Sequence, residues 1–562
     1  MKRVGQRRSL IGLIAVPILL LMSLFAWATV VAPYGEPDSD YHLSSMYCSQ
    51  GFEDGLCEPG KSEGYRLVRG DGAPEICYRN DPDVGAACIG EALADHELIE
   101  TGNGNFRGAY PDVYYTVQHF TVGDDAEITF RDARFLNATL VTLGLGLLTA
   151  LIRPERRRAL WYAVAGSLVP LGLFTIASIN PSAWAIFGPL FIFVAAASVF
   201  EAEAWRRWAL IALTVVALVV VAGTRTDAGA FGLFAALAAI LVAGHFSKRM
   251  VLAIGVPALV ALAVVGALMA GTGRFRAYAN LGLFTDFFGT LAGRPGEGQT
   301  RSQIIQNALE VPHIWMGAFG TWDLGWFDVP LPYIVPAFGI VAFGAIVFFG
   351  LRKVNWREAI ALIGVVILLF LVPLLVLFSR NQIVGDFVQP RYILPLLALG
   401  LGILLWRGTG TMTTLQRWFL IGLLATSNMF ALRSTMNRYI LDSSGGPMWW
   451  PSWAPPSSLV FLCGTLAFAG FLVGVFYLFE RPVLSERPVL SESPVPAPAQ
   501  GAEGALAAGD EDSLVAEGEL ATDAGGAPAA VDEGVVTSAD SEREDRNLPG
   551  RGALVVPGRI LR

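Results

Sequence analysis

The residues Gly35-Glu36-Pro37-Asp38-Ser39-Asp40-Tyr41-His42 put an acidic cluster and an imidazole directly after the first long apolar run. Ionised carboxylates are costly beside hydrocarbon, so a cluster kept at that boundary points to chemistry at an interface. Asp38 or Asp40 could act as a general base that takes the proton of an acceptor hydroxyl, with His42 assisting. The same hard oxygens suit a divalent cation, which makes such an ion a candidate cofactor and leaves its ligands open. A solvated loop start also explains an isolated acidic pair.

A second group of candidates lies far along the chain. Gln389-Pro390-Arg391-Tyr392-Ile393-Leu394-Pro395 opens one apolar segment, and Arg380 closes the preceding one. A guanidinium at such a boundary fits a phosphate bidentately; its plainer role is to snorkel to lipid headgroups. Trp322-Asp323-Leu324-Gly325-Trp326-Phe327-Asp328 interleaves two carboxylates with aromatic rings. That composition suits a carbohydrate platform, and equally an interfacial anchor. Tyr110-Pro111-Asp112-Val113-Tyr114-Tyr115 is a proline-aromatic segment expected to return to the interface. Arg131, Arg134 and Asn137 follow at the start of the next apolar run.

These residues need elements to hold them. The chain has 562 residues, of which 54% are hydrophobic and 16% charged, with a mean hydropathy of +0.52. A soluble chain carries about a quarter charged residues. The apolar excess falls in runs of about twenty, the length that crosses about 30 Å of hydrocarbon, without the period-two alternation of a barrel. The expected fold is an all-α polytopic membrane protein of about twelve transmembrane helices. They cover residues 10–31, 136–152, 159–178, 183–200, 208–223, 228–246, 250–270, 331–350, 358–378, 391–406, 416–434 and 457–479. Ala26-Trp27-Ala28 resembles a cleavage site, but the first run is long for a signal core and reads as an anchored helix.

Arg153 to Arg158, Arg206-Arg207, Lys248-Arg249, Arg352 to Arg357 and Arg407 to Arg417 fall in alternate short loops. Basic loops stay inside, so a bacterial plasma membrane protein with both termini cytoplasmic is expected. Segments 32–135, 271–330, 379–390 and 435–456 then lie outside, the second with short amphipathic helices around Leu281 and Ile304. The chain divides into residues 1–31, a loop domain at 32–135, a transmembrane core at 136–479 and a tail at 480–562. The tail opens with a tandem Glu-Arg-Pro-Val-Leu-Ser at Glu480 and Glu486 and continues without aromatic residues, a composition that cannot fold on itself.

Of five cysteines, Cys48, Cys57, Cys77 and Cys88 share the first long loop and Cys463 lies in the last apolar run. Two disulfides in an oxidising compartment fit this placement, with the pairing open; the alternatives are free thiols or a zinc site, for which the spacing is unusual. No GxxxxGK[ST], HExxH or GxSxG occurs. Nothing in the composition or motifs suggests a nucleic-acid partner.

The acidic motif after the first helix, Pro111 through Tyr115, Asp323-Leu-Gly-Trp-Phe-Asp-Val-Pro-Leu-Pro, Gln389-Pro-Arg-Tyr-Ile-Leu-Pro, and Asn428-Met-Phe-Ala-Leu with Arg438-Tyr439 occur in that order. Together, over roughly residues 10–480, they resemble the bacterial membrane proteins of the domain of unknown function family 2142. That family in turn is similar to the GT-C glycosyltransferases. The resemblance implies a GT-C-like fold. It also implies transfer of a sugar from a polyprenyl-phosphate donor to a glycan or glycolipid acceptor at the outer face of the membrane. Asp38 matches the family's first-loop acid, as base or metal ligand, and His42 the histidine that closes the motif. Arg391 matches the arginine proposed to meet the donor phosphate, beside Tyr392. Tyr114, Tyr115, Arg134, Asp323, Trp326, Asp328 and Arg380 complete the expected substrate contacts. The position after the first acid, usually acidic in the family, is Ser39 here, with Asp40 next. A transporter or flippase of a lipid-linked or small solute, or a scaffold whose 32–135 loop binds envelope partners, would share the many-helix architecture. A transporter needs ionisable or helix-breaking residues at mid-membrane depth, whereas the polar residues here collect at the outer helix ends.

Overall fold

The structure is a computed structural model that describes residues 2–81, 83–244, 281–294, 298–352, 354–386, 388–408, 412–440 and 449–479, with isolated residues between 260 and 267. The expected 250–270 helix and the 480–562 tail lie outside the described residues.

Among the described residues, eight helices are long and apolar enough to cross a membrane, or nine if one sharply bent pair is counted as a single span. The expected number was about twelve. Part of the difference is a real break. The expected 159–178 helix stops at Ser167 and resumes as Pro170–Ile176 at an angle of 96°. Pro170 has no N–H to donate and drives Val169 out of the helical region, to ψ 165°. The expected 391–406 helix shrinks in the same way. A turn of 3₁₀ helix at Pro390–Tyr392 precedes Leu394–Leu405, too short to span alone. Thr414–Ile440 is long, at 27 residues, but its C-terminal half carries Asn428, Arg433 and Arg438, and it falls outside the apolar set.

Helix α1, Lys2–Val30, packs along the last helix, Ser457–Leu478, and against Ala126–Leu151. That third helix begins ten residues before the expected 136. Asp125 caps it, its carboxylate accepting the Ile128 N–H at 3.1 Å. A cap sets a boundary that hydropathy cannot see.

Between α1 and Asp125 sits a small domain that is not wholly helical. Helix α2, Ser39–Tyr47, leads to a three-stranded antiparallel sheet of β1 Cys57–Pro59, β2 Arg66–Arg69 and β3 Leu98–Thr101, ordered β1-β2-β3. Cys57 pairs with Val68 and Val68 with Ile99. The all-α expectation is corrected here by strands too short to show a period. Two disulfides staple the domain, Cys48–Cys57 between the end of α2 and β1, and Cys77–Cys88 across a loop.

Candidate functional site

The segment Val31 to Asp38 joins α1 to α2, and its backbone is pinned at every carbonyl. Arg134 donates to the oxygens of Ala28, Val31 and Ala32, and Tyr78 Oη donates to that of Pro33. Trp326 Nε1 reaches Tyr34 O at 2.9 Å, and Tyr439 Oη reaches Gly35 O at 2.9 Å. Ser39 Oγ bonds Glu36 O, Asn180 Nδ2 bonds Pro37 O, and the His42 N–H bonds Asp38 O. Only glycine fits at position 35, where a Cβ would sit 2.7 Å from the Tyr439 hydroxyl.

This bonding holds two residues in a conformation that side chains disfavour. Tyr34 and Asp38 are left-handed, with φ 64° and 65°. An aspartate at a helix N-cap ordinarily adopts extended backbone and accepts a helix N–H. Asp38 is the N-cap of α2, but its side chain makes no such bond. It turns instead to the Arg391 guanidinium, 353 residues away, in an ion pair. Strain that the surroundings over-determine is a mark of functional positions.

Arg391 is buried, at 5% exposure, while the Asp38 side chain is 39% exposed to the space in front of it. Arg391 Nε is also buried and has no hydrogen-bond partner. Burial raises the Asp38 pKa, but Arg391, His42 and Arg79 pull it down further, so the carboxyl titrates below its ordinary value. Asp38 is therefore ionised at neutral pH.

The space in front of Asp38 is a cavity of about 1320 Å³, its open mouth included. The loop domain contributes Asp38, Asp40, Arg79, Asn103 and Tyr110. The turn between Ala204–Ala222 and Thr226–Ala243 contributes Arg225, and the first turn of the second helix contributes Thr226 and Asp227. The C-terminal part of Trp356–Arg380 adds Val372, Pro373, Val376 and Arg380, and the following segment adds Asp386, Gln389 and Tyr392. Asp40 accepts from Arg79 at 3.3 Å, and the Arg79 guanidinium lies 3.5 Å from the centre of the Trp326 ring. Arg225 pairs with Asp227 at 2.7 Å and lies 4.3 Å from the centre of Tyr392.

Of the expected site residues, Asp38, Asp40, Arg380 and Tyr392 line this cavity, and Arg391 reaches it through Asp38. The others stand elsewhere. His42 is 1% exposed, with Nδ1 2.9 Å from Tyr115 Oη, inside a cluster of Tyr41, Tyr110 and Tyr115 rings. It does not line the cavity. Tyr114 is buried against Asn137 and Trp184. Arg134 spends all five N–H donors on Glu36 and three carbonyls, which leaves none for a substrate. Asp328 is buried against Arg438, which also bonds the carbonyls of Tyr78, Asp81 and Val84. Asp323 accepts the Leu331 N–H and lines a smaller cavity behind Arg391. Burial raises the pKa of both Asp323 and Asp328.

Residues that sequence reasoning passed over include Arg79, Arg225, Asp227 and Asp386. Thr224-Arg225-Thr226-Asp227 did carry a signal, a charged pair confined to a four-residue turn between two apolar runs. Arg79 carried none beyond lying between Cys77 and Cys88. Among the described residues, no group of three or more His, Cys, Asp or Glu is placed to hold a metal ion.

A bundle of apolar helices with a strained, charged site at one end defines a helical membrane protein. The family described as predicted membrane protein, DUF2142, matches residues 21–400, and the chain belongs to that family. No curated protein matches the sequence.

Proposed function

We propose that the protein is a GT-C-type glycosyltransferase that moves a sugar from a polyprenyl-phosphate donor to a cell-envelope glycan or glycolipid. One observation carries this reading: the strained, ionised Asp38 faces a cavity lined both by charged side chains and by the apolar Val372, Pro373 and Val376. In the reaction the acceptor hydroxyl oxygen attacks the anomeric carbon from the face opposite the phosphate. The new C–O bond forms as the sugar–phosphate C–O bond breaks with inversion. The lipid phosphate leaves with the bonding electrons, and the hydroxyl proton passes to Asp38. Asp40, paired with Arg79, shapes the sugar's surroundings.

The loop domain is read as extracytoplasmic, because its two disulfides require an oxidising compartment. With basic loops inside, both termini are then cytoplasmic in a bundle of about twelve spans. Polyprenyl donor, lipid and glycan acceptor all meet at that outer face.

The test is transfer by purified protein in nanodiscs, using a panel of radiolabelled decaprenyl-phosphate sugars and envelope glycolipid extract. Asp38→Asn is expected to lower turnover by at least about 10²-fold while the melting profile is kept. Unchanged turnover in that variant rejects the mechanism.

A further inference from the structure

Val372, Val376 and Arg380 lie four residues apart on the Trp356–Arg380 helix, one stripe of its surface, and all three line the cavity with Pro373. The stripe is apolar toward the middle of the helix and cationic at its last turn, where the helix dipole also favours a cation. The loop domain brings Asp38 and the Asp40–Arg79 pair to the same cavity. An occupant that satisfies both the apolar and the charged lining is amphiphilic, with hydrocarbon beside the valines, an anion at Arg380 and a polar head toward Asp38. Arg225 lies on the same cavity, and Tyr392 meets the guanidinia of both Arg225 and Arg391. Arg391 is bonded to Asp38 and, unlike Arg380 and Arg225, does not line the cavity.

We propose that the phosphate of a lipid phosphate sits against Arg380, with Arg225 as the second guanidinium and the chain running down beside Val372 and Val376. Arg391 is then a positioning residue that fixes Asp38 and does not hold the phosphate. This assignment rests on the transferase reading above and moves the phosphate from the arginine that family resemblance favours. Arg391 is the competing seat. Its partnerless Nε would meet an anion that opened the Asp38 pair.

The experiment measures binding of decaprenyl phosphate, decaprenol and inorganic phosphate to the full chain in phosphatidylcholine nanodiscs. Decaprenyl phosphate should bind wild type at least tenfold more tightly than either other probe. Arg380→Ala, at an exposed position, should erase most of that preference, and Arg391→Lys should leave it within about threefold. An infrared carboxyl band, assigned to Asp38 by its loss in Asp38→Asn, should titrate at higher pH in Arg391→Lys and stay in place in Arg380→Ala. If Arg380→Ala binds like wild type, or Arg391→Lys loses as much as Arg380→Ala, the seat assignment is overturned and the transferase reading stands. If wild type does not prefer the phosphate over decaprenol, both fall.

Discussion

At the scale of single residues, two buried arginines do different work. Arg391 tunes Asp38, whose folded pKa lies below its ordinary value. A depressed carboxyl adds stability above its unfolded pKa of about 3.9 and loses it as pH falls through the folded value. Wild type should therefore lose more melting temperature than Asp38→Asn when the pH drops from 6 to 3; equal losses would show that the ion pair does not couple to folding. Arg134 instead secures the fold. Its pair with Glu36 is 3% and 0% exposed, and Glu36 also accepts the Ile179 N–H at 3.0 Å. Arg134→Ala strands a buried carboxylate and three carbonyls, so a destabilisation of about 3–5 kcal/mol is expected in detergent melts. Glu36→Ala combined with Arg134→Ala should cost less than the sum of the two single changes. Strict additivity would mean that the two side chains do not interact.

At the scale of elements, the break at Pro170 and the loop closed by Cys77–Cys88 place the site. The broken helix turns its end so that Ile179 and Asn180 reach Glu36 and the Pro37 carbonyl. The disulfide loop presents Tyr78 to Pro33, Arg79 to Asp40, and three carbonyls to Arg438. Replacing Cys77 and Cys88 by serine should lower stability by about 2–4 kcal/mol and open residues 77–88 to proteases. Replacing Cys48 and Cys57 should leave that loop protected. Cleavage within 77–88 in neither variant would mean that Arg438 alone holds the loop.

At the scale of the whole molecule, the reading depends on which side of the membrane the loop domain occupies. In a background with Cys463→Ser, a cysteine at Lys61 in the loop domain should react with a membrane-impermeant maleimide in intact cells. One at Arg206, in a basic loop, should react only after lysis. The reverse pattern would place Asp38 in the cytoplasm, away from any extracytoplasmic acceptor. The bundle offers the cavity an apolar flank at Val372 and Val376, which suits substrates that never leave the bilayer.

Composition and apolar run length were enough to establish a helical membrane protein, because each span must satisfy its own backbone and show apolar side chains to lipid. Cysteine placement likewise made a stapled loop legible, although not which thiols pair. Proline effects on helix continuity, the cap at Asp125 and the short strands are local and were invisible to hydropathy. The site itself was half legible. Asp38 and Arg391 were recognisable as boundary charges, but only packing decided that they meet across 353 residues. The same packing turned Arg134 and Asp328 inward and brought Arg79 and Arg225 to the cavity. Boundary charges advertise themselves in sequence because hydrocarbon tolerates few of them. The choice between binding a neighbour and facing a cavity is made by the donors and acceptors that folding brings within reach.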